Sequence, residues 1–427
     1  MSHSPIPQTH PPLWRNRVFQ IVAFADLLQQ LAIWTRNIAL LFYVMEMTNN
    51  DPVAVSLLTM FEYLPIFIFS FIGGTFADRW NPKKTVIAGD TLSAISIGII
   101  ALCMMSGLWQ AVFVATIVSA VVSQFSQPSS SILFKKHVPE EQVGLAVSIT
   151  QGLMSIFVIV GPMIGTAIYT TLGIQYSLFV LIGLFLLAAI IQIGLPSSER
   201  STESAHSTIM QDMAEGFRYV KQNRNLVVIA AIFTLIGLAV GIIQPLDVYI
   251  LIERLGLHKE NLQWFYAVSG IGMLLGGLLA AALSSRIQRF AKSVTFIGLL
   301  ILAVSIAFEV LSRWALVTAS MRFFVGITEA FLQIVLGTFM IKLVHADYVG
   351  RTNGILSPLM TGGVLIGSGA AGLLMSSTSL MTTFFISAAL VAAAACISLQ
   401  LSFPSGQMTN EPETKAGMAK KESLPTV

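Results

Sequence analysis

The side chains best placed to do chemistry are carboxylates set inside long apolar runs. Glu329 stands in SMRFFVGITEAFLQIVL, Glu62 in LTMFEYLPIFI and Asp26 in FQIVAFADLLQQLAIW. A charge in hydrocarbon costs at least about 2.5–3.5 kcal/mol, so an acid in such a run is kept for function or for pairing. Burial favours the neutral form of a carboxylate and a neighbouring cation the charged form, which suits such a group to carry a proton between two environments. Glu329 lies roughly 20 Å along its helix from the outer end at 1.5 Å per residue, close to mid-membrane. It is expected to exchange a proton for cargo; the alternative is a fixed ion pair with Arg322 or Arg36. Asp26, about 12 Å in from the start of its helix, is either a second proton site or a carboxylate that closes a gate by hydrogen bonds. Glu62 sits at a depth that suits a structural or switching pair with Arg36. Asp247 and Glu309 lie near helix ends, where water is expected to solvate them.

Other chemistries find no residues. Cys103 and Cys396 both fall in apolar runs, and the six histidines lie in tails or at segment ends. No disulfide framework, thiolate metal site or buried His site is expected. No G-x-x-x-x-G-K-[ST] loop and no H-E-x-x-H helix is present, so neither an ATP-driven motor nor a zinc hydrolase is expected. The reading is of a protein that is not an enzyme, needs no cofactor or metal, and draws energy from a proton gradient.

The elements that position these groups follow from composition. Of 427 residues, 55% are hydrophobic and 11% charged, whereas a soluble domain carries about 25% charged residues. Mean hydropathy is +0.78, and lipid is the solvent that fits. The net charge of +3, with scattered basic residues, speaks against a nucleic-acid partner. At about 20 residues per crossing, apolar runs give twelve spans: 18–45, 53–77, 85–106, 109–133, 145–170, 176–195, 226–252, 262–285, 291–312, 314–341, 353–375 and 379–403. With both termini cytoplasmic, nearly all of the 24 Lys and Arg fall inside. Only Arg254, Lys259 and Arg313 fall outside, with Arg36 and Arg322 within spans. That asymmetry is the positive-inside bias.

The second half echoes the first at a nearly constant offset. VPEEQVG (138–144) matches VHADYVG (344–350), Asn16-Arg17 matches Asn223-Arg224, and Gly73-Gly74 matches Gly276-Gly277. Parallel repeats place a substrate site between the halves near mid-membrane. The organisation is a six-helix bundle (1–195), a linker with an amphipathic helix (196–225), a second bundle (226–403) and a polar, disordered tail (404–427). Ile209, Met213, Phe217 and Val220 share one face of the linker helix. Polar stripes mark the cavity helices at helical spacing: Asp26, Gln29, Gln30 and Asn37 in span 1, and Thr116, Ser119, Ser123 and Gln127 in span 4. Gln244 marks span 7; Arg322, Glu329 and Gln333 mark span 10. Trp34, Phe331 and Phe339 either stack on ligand or pack between helices.

The loop GGTFADRWNPKK (73–84) resembles the G-x-L-a-D-R-x-G-R-[RK] signature of the major facilitator superfamily, with Gly74, Asp78, Arg79, Lys83 and Lys84 at its key places. Asn81 and Pro82 depart from its Gly-Arg. The resemblance implies an all-α fold of two pseudo-symmetric six-helix bundles, and a cytoplasmic gate cluster that includes Asp90 and favours the state closed on that side. Gly161, Pro162 and Gly165 are similar to the G-P-x-x-G core of drug antiporters, although Phe157 and Thr166 stand where glycines are usual; a Pro-kinked packing helix is the plainer reading. With FEYLP (61–65), HVPEEQ (137–142) and EGFRYVKQNRNL (215–226), the whole chain looks like the macrolide-efflux and enterobactin-exporter branch. The resemblance implies proton-coupled export of a small amphipathic compound by a monomer in a bacterial cell membrane, with protons and lipid as its other partners. Export of a native metabolite such as a siderophore, lipid flipping, or a membrane enzyme or transport-inactive receptor are the alternatives.

Overall fold

The computed structural model describes residues 12–70, 81–196, 209–345 and 348–402, with the side chains of 125–131, 135, 209, 210, 212, 285 and 288 left out. Gly74, Asp78 and Arg79, the side chain of Gln127 and the tail 404–427 therefore lie outside the described residues. All long elements are helices. The first half holds α1 (Arg17–Met47), α2 (Pro52–Ser70), α3 (Pro82–Met105) and α4 (Ala111–His137). A continuous run, Glu140–Ile193, follows; Gly173 at φ 71° divides it into α5 (140–172) and α6 (174–193), because only glycine takes that conformation without cost. The second half holds α7 (Arg224–Ile243), α8 (Leu262–Ala282), α9 (Ala291–Leu311), α10 (Ala315–Leu343), α11 (Val349–Ser377) and α12 (Leu380–Ser398). Ten helical runs are long and apolar enough to cross a membrane; dividing the α5–α6 run and adding α4 makes twelve crossings among the described residues.

The residues that matched between halves start the helices. Asn16 accepts from the Val18 and Phe19 amides at the head of α1, and Asn223 accepts from the Asn225 amide at the head of α7. Asn81, where the loop departs from the family signature, accepts from Lys84 N, and Pro82 follows as first helical residue. An Asn cap followed by Pro at N1 is a strong helix start, which accounts for the departure.

Within the first half, α1 packs on the α5–α6 run and α3 joins α4 and that same run. In the second half α7 packs on α11 and α12, and α10 packs on α8 and α9. The halves meet along two seams, α2 against α11 and α5 against α8. Small residues set these approaches. Gly369 and Gly372 of α11 face Met60 and Pro52–Val53 of α2, and Gly270 of α8 faces Ile159 of α5. Lipid supplies no hydrophobic drive between helices, so close backbone contact through small residues is what holds them.

The two ends of the molecule differ. At the end where α1 finishes, here the distal end, one buried cluster draws on both halves: Val44, Met45 and Val55 pack with Leu246, Tyr249, Ile250 and Phe384. At the end where α1 begins, the basal end, the clusters among the described residues keep to one half each. Leu13, Phe19, Leu133 and Phe134 form one, and Val220, Leu226, Phe339 and Val344 another. Among the described residues, the packed apolar contact between the halves lies at the distal end.

The linker helix Ile209–Gln222 clasps the second half. Gly216 lies against the Arg351 backbone, Glu215 pairs with Arg351 at 3.0 Å, and Tyr219 stacks on Tyr348 at 4.3 Å. Val220 is buried, but Phe217, expected on the same face, is 60% exposed. The packed face centres on Gly216 and turns Phe217 outward.

Candidate functional site

Arg36 is the hub of the first half. It is buried on α1, donates to Asn37 Oδ1 at 2.7 Å and to Glu62 Oε1 on α2 at 2.8 Å, and also donates to Ser119 Oγ on α4. One guanidinium thus ties three helices, donating from Nε and from both terminal nitrogens. Glu62 keeps 24% side-chain exposure, so the pair borders solvent. Next to it on α2, Tyr63 donates to Gln244 of α7 at 3.3 Å, across the gap between halves.

Glu329 pairs with neither arginine; it is exposed, as are Gln333 and Gly337 one and two turns on. The direction of that exposure follows from helix geometry. Gly326 lies against Ser269 and Met273 of α8, while Thr328 and Leu332 border Gly298 of α9. Phe324, 51% exposed, marks the outer face, and Glu329 projects about 140° round the helix from it at 3.6 residues per turn. Glu329 instead shares within about 20° the face of Arg322, which is buried against α7 and α9. The stripe Glu329–Gln333–Gly337 therefore faces the interior between the halves and runs toward the basal end, where the described residues form no cluster shared by both halves.

Asp26 stands on α1 beside Asp90 of α3. Asp90 is 2% exposed; Gln29 Nε2 donates to both its oxygens at 2.9 Å, and Gln192 of α6 lies close by. Asp90 thus belongs to a buried knot of α1, α3 and α6 and not to the Lys83–Lys84 cluster in which it was expected, because it faces into the bundle two turns beyond those lysines. Lys83 donates to the Leu195 carbonyl at 2.5 Å, holding the start of α3 to the end of α6.

Asp247 and Glu309, expected in water, are 5% and 3% exposed. Both bind Arg322: Asp247 accepts from its two terminal nitrogens at 3.0 and 2.7 Å, and Glu309 accepts from Nε. Distance from a helix end misled here because α7 does not run straight. Pro245 interrupts it, the chain passes through a 3-10 turn (Gln244–Leu246), and a π turn (Ile250–Arg254) follows. The break turns Asp247 inward. Pro removes an amide and cannot continue the helical ladder, so Pro245 was the signal available in the sequence.

Gly161 and Gly165, from the antiporter-like motif, form a notch on α5 that receives α1. A Cβ at Gly161 would overlap the Trp34 ring, and one at Gly165 would press the Trp34 carbonyl and Thr35. Seated there, Trp34 meets Tyr266 of α8 edge-on, with ring centroids 6.3 Å apart. Gln30, Asn37 and Ser123 are half-buried and Gln244 is exposed, so polar groups of α1, α4, α7 and α10 surround the same interior. Phe339 is buried in the second-half core and is a packing residue.

Twelve membrane helices in two related groups of six, joined by paired seams around a polar interior, define a class of membrane transport proteins. The chain belongs to the Major Facilitator Superfamily, whose model matches residues 22–312 and 248–424. Macrolide efflux protein A of Streptococcus pyogenes is 23% identical over 375 residues, covering 83% of this chain and 86% of that protein. YkuC of Bacillus subtilis, described as an uncharacterized MFS-type transporter, is 25% identical over 364 residues, covering 82% and 83%. The crystal structure of the nucleoside transporter NupG superposes with a TM-score of 0.73 at 13% identity, covering 90% of this chain and 100% of that one; that likeness concerns the fold.

Proposed function

We propose that this transporter exports small amphipathic compounds, of the drug or antibiotic kind, in exchange for protons. The observation that carries the reading is Glu329: a carboxylate midway along α10, on the interior-facing polar stripe, in no ion pair among the described residues. Such a group can take a proton or answer a cargo, and linkage between the two requires only that they favour different access states. Asp26 is the second candidate for proton coupling. Trp34 with Tyr266, and Gln244 with Tyr63, offer flat and polar surfaces to cargo from both halves. The resemblance to macrolide efflux protein A supports the direction and the class of compound. The basal end is read as cytoplasmic on the positive-inside bias, with both termini on that side of a bacterial cell membrane and the monomer as the working unit.

The test is a compound panel in inverted vesicles, including macrolides, a siderophore and a lipid analogue, with and without an uncoupler. Uptake of macrolide-like compounds that an acid interior drives and an uncoupler abolishes is expected. Uptake confined to the siderophore or the lipid analogue, or indifferent to uncoupler, would contradict the reading.

A further inference from the structure

The proposed exchange does not use the cluster of Arg322, Asp247 and Glu309, and its charges do not balance. Two carboxylates bind one guanidinium, and the three side chains retain 10%, 7% and 4% exposure. The other titratable groups nearby do not supply the missing charge. Tyr266 of α8 is near all three, and Tyr63 of α2 lies beyond it. Glu329 on α10 would add a further negative charge. On α7, Glu253 adds no cation, while Arg254 donates to the Val310 and Leu311 carbonyls. An uncompensated charge sealed at this depth is costly.

We propose that this triad is a second proton-binding site, and that one proton shared between Asp247 and Glu309 holds the distal end shut. The proposal rests on the exchange reading above and adds where the closed state stores its proton. Asp247 lies in the broken part of α7, and the residues beside it, Leu246, Val248, Tyr249 and Ile250, belong to the cluster that seals both halves distally. Tyr249 also donates to the Asn50 carbonyl of the first half at 3.0 Å. The neutral triad fixes that segment to α9 and α10. Loss of the proton leaves a net negative charge that must be hydrated, and the water it needs lies beyond the distal plug. Seven residues separate Arg322 from Glu329, about 10 Å along α10, so a proton leaving the triad toward the basal side meets Glu329 next. Deprotonated and open distally, protonated and open basally, is the order that antiport requires.

The test uses spin labels at Met47→Cys and His258→Cys, both exposed at the distal end on opposite halves, with Cys103 and Cys396 replaced by serine. The label distance is read across pH in nanodiscs, in sodium and in potassium buffers, alongside vesicle transport. The parent is expected to lengthen its distance as pH rises, in either buffer. Glu309→Asp, which keeps the charge count, should keep this response. Glu309→Gln and Asp247→Asn, which make the triad permanently neutral, should stay short at every pH, while Glu329→Gln keeps an opening response. The inference is overturned if the Gln and Asn variants open with pH as the parent does, or if opening follows sodium instead of pH. pH-driven transport with a pH-independent distal distance overturns this inference alone; absence of pH-driven transport in the parent removes the exchange reading as well.

Discussion

Arg36 joins α1, α2 and α4 through groups that differ in kind: a carboxylate, an amide and a hydroxyl. Removing one member of a buried ion pair leaves a charge without compensation and costs about 3–5 kcal/mol, whereas replacing both is far milder. Arg36→Gln or Glu62→Gln alone is therefore expected to lower the melting temperature in detergent markedly, and the double variant to recover much of the loss. Equal and additive losses would show that the two side chains act independently. The suitability of Arg36 for Glu62 was legible from spacing along single helices. The partners of Arg322 were not, because rise along a helix reports depth and says nothing of which neighbour a side chain faces once α7 breaks at Pro245.

At the scale of elements, glycines decide which helices can meet. The notch of Gly161 and Gly165 seats Trp34, and through it α1 approaches α5 and reaches Tyr266 across the seam. Gly161→Val is expected to displace the indole, at the cost of about 1–3 kcal/mol typical of overpacking, with a lowered melting temperature and altered tryptophan fluorescence. Unchanged fluorescence would mean the ring is not seated there. A second site of this kind is Gly237, which lies against the Met360 carbonyl where α7 crosses α11; Gly237→Leu should lower stability further, since a backbone atom cannot move aside. The helices themselves were readable from apolar runs, whereas the capping by Asn16, Asn81 and Asn223 emerges only in the structure. The buried knot of Asp90 with Gln29 was not readable either, since it joins α1 to α3 through contacts that no local pattern encodes.

Among the described residues the halves share a buried apolar cluster at the distal end, and the stripe of Glu329, Gln333 and Gly337 runs from mid-helix toward the basal end. Gln333→Cys should react quickly with a charged, membrane-impermeant thiol reagent supplied from the basal side, and Phe324→Cys on the lipid face should not. The reverse order would place that stripe in lipid. Internal duplication made the two-bundle architecture visible in the sequence, because matched residues recur in order at nearly constant offset. The state occupied was not visible there, since both states use one set of helices and differ only in which end of the seam is packed. The account stands or falls on Glu329 linking proton to cargo, and proteoliposomes carrying wild type or Glu329→Gln with an imposed pH gradient address it most directly. The wild type should accumulate cargo against its gradient, while Glu329→Gln, equally well folded, should exchange cargo down a gradient yet accumulate none. Full pH-driven accumulation by Glu329→Gln would contradict the account.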